Sequence, residues 1–195
     1  MHVCRLKKFR KREDILNKKS VLQIVNEDKN CFWYGLACLM NPNNRTIRDN
    51  RNIKARTKIS SELCRKCKLN WNEEVSFMHL PIVEKTFNCN IYVIDLNNIP
   101  QLGANIKLWN CLMYKSENRN NQHYYFLFDN EIKHYDCITD IKAFLACRCF
   151  CNNCLSSFLQ KDTYENHKCS LQKMKKENKK NESKMVKELS HYLTK

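Results

Sequence analysis

Three sets of residues in this chain have the types and spacing to do chemistry. Cys31 follows the polar stretch Asn26-Glu27-Asp28-Lys29-Asn30 and opens an apolar run over residues 31–40. His134 has a carboxylate, Asp136, two positions on. Cys151, Cys154, His167 and Cys169 follow the spacing Cys-x2-Cys-x12-His-x-Cys. The first two sets together point to nucleophilic catalysis and the third to a metal site.

A thiol at a helix N-terminus meets the positive end of the helix dipole, which favours the nucleophilic thiolate. Such a nucleophile also needs a base and a group that orients the base. On a strand, residues i and i+2 share a face. Asp136 can therefore reach one nitrogen of His134 while Cys31 takes the other. Asp28 lies in the turn before Cys31, where backbone N–H groups can form an oxyanion hole. His123, also followed by tyrosine, is a rival base, but only His134 has the acid two residues on. The competing reading makes Cys31 a small buried hydrophobe, a role cysteine fills well, and His134 a strand-end histidine satisfied by backbone.

For the third set, two cysteines separated by two residues form a tight knuckle, and the following 12 residues fit a turn and a helix that return a second ligand pair. Four soft or borderline ligands suit Zn²⁺ better than Mg²⁺ or Ca²⁺. Phe158 falls where a small finger needs a core aromatic. The fourth ligand is open: Cys169 follows His167 closely, and Cys147 or Cys149 could substitute for it or simply pack. Cys64-x2-Cys67 is a second knuckle without a clean partner pair. His79 and Cys89 fall in a predicted helix and at a predicted strand start, so Cys64 and Cys67 read as loop thiols.

The elements that must position these residues follow from hydrophobic pattern and turn chemistry. Residues 31–40 are apolar nearly all round, which predicts a buried helix stopped by Asn41-Pro42-Asn43. Residues 43–62 are polar and basic and read as loop with some helix. Residues 71–87 have helical spacing, with Pro81 kinking or restarting the helix. Strands are predicted over 89–96, 106–114, 123–128 and 132–138. A short helix follows over 139–146, with Thr139 as its N-cap. A helix packed on a small, mostly antiparallel sheet is an α+β domain.

The chain has 195 residues, 43% of them hydrophobic, enough for one packed domain and a small appendage. With two glycines, Gly35 and Gly103, a glycine-rich phosphate loop is excluded. The net charge of +15 is concentrated at the ends: residues 1–20 carry +6, residues 170–195 carry +5, and the middle carries the remaining +4. Basic ends attract polyanions such as DNA or RNA without sequence preference; the bland alternative is a solvated surface. Residues 171–192 space their apolar side chains as a rough helix, either solvated or lying on nucleic acid. The N-terminus lacks the apolar region of a secretory signal, and no run is long enough to span a bilayer. An odd cysteine count, 13, with no such signal predicts a reducing, intracellular setting, nucleus or cytoplasm, without disulfides. Residues 7–12, Lys-Lys-Phe-Arg-Lys-Arg, could act as a nuclear import signal. The expected organisation is a basic arm (1–20), the α+β domain (21–146), a zinc finger (147–169) and a basic helical tail (170–195).

Three segments in order carry a resemblance. Asp28-x-x-Cys31 leads into an apolar helix. A segment from Trp71 passes through a glutamate-containing helix into Phe87-x-x-x-Ile91-x-Val93. A strand then ends in His134-Tyr135-Asp136. Over roughly residues 24–140 the chain resembles the ovarian-tumour (OTU) cysteine proteases. That resemblance implies a papain-like fold, a triad of Cys31, His134 and Asp136, and ubiquitin or a ubiquitin-like protein as partner. The order of pieces, with His134-Tyr135-x-x-Ile138-Thr139 running into a Cys-x2-Cys finger, is also similar to the N-terminal extension of protein-primed family B DNA polymerases of Polinton/Maverick-type transposons and related viruses. No palm carboxylate motif follows, so on this resemblance the chain is a fragment or stand-alone relative that cannot polymerise DNA.

The expected function is accordingly an OTU-like cysteine peptidase, in particular a deubiquitinase, with an appended zinc finger. The alternatives are a non-catalytic, zinc-dependent nucleic-acid-binding module, or an inert remnant of a mobile element.

Overall fold

The computed structural model describes residues 12–99, 107–118 and 120–167; the far N-terminal arm, the basic tail and Cys169 lie outside the described residues. The architecture is α+β, built on a five-stranded, mostly antiparallel sheet. β1 is Val21–Leu22, β2 Cys89–Asp95, β3 Leu112–Lys115, β4 Gln122–Asp129 and β5 His134–Ile138. Their order is β1-β5-β4-β2-β3, and only the central β2–β4 pair is parallel.

Alternation along the strands divides the interior in two. Ile91, Val93, Phe126, Phe128, Tyr135 and Cys137 point to one core, while Tyr92, Ile94, Tyr125, Leu127 and Ile138 point to the other. Three helices cover the first: α1 (Cys31–Met40), α3 (Ile53–Lys66) and α4 (Leu80–Phe87), with a single turn, α2 (Arg45–Arg48), between the first two. α1 is apolar on every side because it is buried from Cys31 to Cys38. Gly35 sets how closely it lies on the sheet: a Cβ there would stand 3.0 Å from the Phe126 ring and 3.2 Å from Cys137 Sγ.

Several elements differ from expectation. Residues 43–62 hold α2 and the first ten residues of the 14-residue α3. Its buried stripe is Arg56, Ser60, Leu63 and Cys64, at helical spacing but half polar, so hydrophobicity alone does not reveal it. Cys64 and Cys67 end that helix as buried core residues, not loop thiols, and Cys64 Sγ donates to the Leu69 carbonyl at 3.2 Å. Over 71–87 only the part from Leu80 is helical, with Pro81 in its first turn, where a missing N–H costs nothing. The strand expected over 106–114 begins as a 3₁₀ turn, Leu108–Cys111, and becomes β3 only from Leu112. Asp140, not Thr139, caps α5 (Ile141–Leu145), accepting from Lys142 N and Ala143 N, while Thr139 Oγ1 donates to the Ser20 carbonyl at 3.1 Å.

The second core is closed by Ile15, Leu108, Phe144, Leu145 and Leu155. Leu155 belongs to a small hairpin, β6 (Cys149–Cys151) with β7 (Ser156–Phe158), followed by α6 (Lys161–Asn166). The hairpin is fastened to the sheet. Leu108 N donates to the Leu155 carbonyl at 2.9 Å, and Tyr125 Oη donates to Asn152 Oδ1 at 2.9 Å. Among the described residues, no helix is long and apolar enough to cross a membrane.

Candidate active site and candidate metal centre

β1 pairs with β5 only at Ile138 and Cys137, so among the described residues the upstream half of β5 has no strand on that side. The head of α1 fills the gap. The Tyr135 backbone N–H donates to Cys31 Sγ at 3.4 Å, and Cys31 is buried. His134 and Asp136 flank Tyr135, and His134 Nε2 lies 3.3 Å from Asp136 Oδ1. The His134 ring is also hydrogen-bonded to Cys31. With Nε2 committed to Asp136, Nδ1 is the nitrogen left for the thiol. Asp136 Oδ1 also accepts from the Ile24 N–H at 2.8 Å, so the carboxylate is held from the strand and from the loop before α1.

The electrostatics follow from these contacts. Burial pulls the pKa of His134 down, but its bonds to Asp136 and Cys31 outweigh that and hold it at about 10. The imidazolium is thus the ordinary form of this ring at neutral pH, with the Asp136 carboxylate beside it as the balancing negative charge.

Asp28 sits in the turn before Cys31, exposed, but its carboxylate is engaged by the turn and by α1. It accepts from Tyr34 Oη at 2.6 Å, from Asn30 N at 3.0 Å and from Asn26 Nδ2 at 2.9 Å. Burial pulls its pKa up, yet these bonds prevail and hold it below the ordinary carboxylate value. The Asn30 amide is therefore spent on Asp28. The N–H groups that head α1, from Cys31 onward, have no carbonyl one turn back to serve. His123, the rival base, is at the far end of β4, with its Nδ1 3.3 Å from both Asn90 Nδ2 and Tyr92 Oη, and burial lowers its pKa. It has no part in the Cys31 group.

Sequence reasoning missed the supporting residues. The Ile24 amide has no sequence signature. Tyr34 and Arg56 do: they lie on the facing sides of α1 and α3, and the Arg56 guanidinium sits 4.8 Å from the Tyr34 ring centre. A buried arginine in a polar helical stripe is the signal that could have found it.

The second constellation also assembles in part. One ligand atom from each of Cys151, Cys154 and His167 lies within 4.8 Å of the others, a group that could hold a metal ion. The hairpin presents the two thiols, and α6 returns the imidazole. His167 Nδ1 bonds the Tyr164 carbonyl, which makes it the protonated nitrogen, while Nε2 is buried with no hydrogen-bond partner. An imidazole oriented by a carbonyl, its second nitrogen left bare, fits a soft metal site. Phe158 packs on the rings of Tyr164 and His167, at 5.6 and 4.6 Å. Among the described residues Cys147 and Cys149 are not in this group; burial raises the pKa of Cys147. All eleven described cysteines are free thiols.

No protein-family model matches this chain, and no curated protein matches it either.

Proposed function

We propose that the chain is a cysteine peptidase of OTU-like, papain-like kind, with Cys31 as nucleophile, His134 as base and Asp136 as the group that orients it. One observation carries this reading: a single imidazole touches the thiol at the head of a buried helix on one side and a buried carboxylate on the other. In the reaction the Cys31 thiolate adds to a substrate carbonyl, and the His134 imidazolium gives its proton to the leaving amine. Water, deprotonated by the neutral imidazole, then cleaves the thioester and frees the thiol. The N–H groups heading α1 are placed to receive the oxyanion. Ubiquitin or a ubiquitin-like protein is the proposed substrate class, and the N-terminal regions of protein-primed family B DNA polymerases are the proposed kin.

The finger is the proposed structural Zn²⁺ site, held by Cys151, Cys154 and His167, with Cys169 as the fourth ligand. The metal would staple the hairpin that closes the second core. Its described part, residues 147–167, carries Arg148 and Lys161 against Asp162 and Glu165. Any nucleic-acid contact would therefore fall to the basic ends rather than to the finger itself.

The test is covalent capture: zinc-loaded protein is mixed with ubiquitin bearing a C-terminal electrophile and the adduct mass is read. The expected result is an adduct on Cys31 that Cys31→Ala and His134→Ala both abolish. A folded, zinc-loaded protein that gives no adduct refutes the deubiquitinase reading.

A further inference from the structure

Arg56 is almost wholly buried, 1% exposed, and among the described residues no carboxylate lies within ion-pair distance of it. Taking a guanidinium out of water is expensive, and a leucine or methionine would fill the space between α1 and α3 without that cost. The directed contacts distinguish arginine from such a filler. One terminal nitrogen donates to the Val25 carbonyl at 2.8 Å. The other donates to Asn50 Oδ1, and Asn50 Nδ2 in turn donates to the Gln23 carbonyl at 3.1 Å. Gln23 and Val25 are the two neighbours of Ile24, whose N–H holds Asp136. The guanidinium also lies on the Tyr34 ring, whose hydroxyl fixes Asp28 and through it the Asn30 amide beside Cys31.

We propose that Arg56 is a positioning residue of the Cys31 site: it holds the carbonyls of the residues on either side of Ile24, that of Val25 directly and that of Gln23 through Asn50, and so fixes the carboxylate that orients His134. This role rests on the reading of Cys31, His134 and Asp136 as the catalytic group. Without the clamp the loop over 23–26 is free to shift, the Ile24 amide leaves Asp136, and the carboxylate turns from the imidazole. The other charged and titratable groups near the pair are Tyr135, Lys133, Glu74 acting on Tyr135 through space, and Asp129, which faces His134 across the ladder and bonds Arg12.

The test needs no knowledge of the substrate. Iodoacetamide alkylation of Cys31 in the full-length chain is followed by peptide mass spectrometry between pH 5 and 10, for wild type, Arg56→Met, Arg56→Lys and Asn50→Ala, with circular dichroism as the check on folding. The wild-type rate is expected to persist at pH 6, where an ordinary thiol is almost fully protonated. Arg56→Met is expected to lose about tenfold at pH 6 and to converge with wild type at pH 10. Lysine reaches one carbonyl and restores part of the loss. Asn50→Ala, which leaves the buried charge in place, shows a smaller loss in the same direction. Folded variants with the wild-type profile would reduce Arg56 to packing and overturn the proposal. If Arg56→Met does not fold, Asn50→Ala decides alone, and a wild-type profile there overturns it. A wild type that itself behaves as an ordinary thiol sinks the catalytic reading, and this role with it.

Discussion

His134 and His167 both stand beside cysteines, and their second partners set them apart. His134 is backed by a carboxylate, Asp136, and holds a proton to about pH 10. His167 is backed by a neutral carbonyl, that of Tyr164, which fixes its proton on Nδ1 and leaves Nε2 bare in a buried place. The first ring is placed to keep a proton, and the second has a bare nitrogen in a group that could hold a metal ion. The scaffolds differ as well. Cys31 and His134 are joined only through the sheet, 103 positions apart, while Cys154 and His167 are joined by a turn, the strand β7 and one short helix. One site depends on the long-range fold. The other is local and in turn supports that fold, because its hairpin closes the second core.

Truncating each ring in turn separates the two roles with the largest effect. His134→Ala is expected to slow modification of Cys31 at pH 6 by about 100-fold, the low end for losing a positioned acid–base group, with bound zinc retained. His167→Ala is expected to do the reverse, losing zinc by elemental analysis and lowering the melting temperature while a folded fraction keeps Cys31 reactive. Loss of zinc from His134→Ala, or of Cys31 reactivity alone from His167→Ala, breaks the division.

If the finger supports the sheet, its core side chain carries the load without touching metal. Leu155 is buried at 1% exposure among Leu108, Phe144 and Leu145. Leu155→Ala is expected to cost about 2–5 kcal/mol in urea unfolding with zinc affinity little changed. A cost under about 0.5 kcal/mol, the range of surface substitutions, would show a finger that merely rests on the domain.

The charge on His134 can be sharpened by pH. Its folded pKa, about 10, lies above the 6.5 of an ordinary imidazole, so the stability it adds is fully present below about pH 6.5 and drains away as pH rises through about 10. The gap in unfolding free energy between wild type and His134→Gln should therefore narrow from pH 6 to pH 10, by on the order of 4 kcal/mol. A gap independent of pH would mean the ring is neutral in the fold.

How much of this was legible in the sequence depends on what each residue had to do. The buried α1 and strands β2 and β4 were written in largely apolar runs, and the pairing of His134 with Asp136 on β5 in strand periodicity. The helix over Ile53–Lys66 was hidden because two of its buried positions are Arg56 and Ser60, which no hydrophobic pattern records. Leu108–Cys111 read as strand because both ends of its 3₁₀ turn are buried apolar residues; their spacing of three, not two, was the missed sign. The Ile24 amide could not be foreseen at all, since a backbone donor is chosen by tertiary placement and every residue but proline has one.

The smallest effect lies where the two regions meet. α5 begins three residues after β5 ends and finishes four before β6, and Phe144 and Leu145 are buried in the core that the hairpin shares. Asp140 caps it, accepting from two of its free N–H groups. Asp140→Ala is expected to cost about 1 kcal/mol, the usual value of such a cap, a drop in melting temperature of about 2–4 °C for a chain of this size. Cys31 reactivity should not move, because the cap lies beyond Ile138, on the side of β5 away from His134. A fall in Cys31 reactivity at unchanged folding would mean that α5 couples the two sites rather than only joining them.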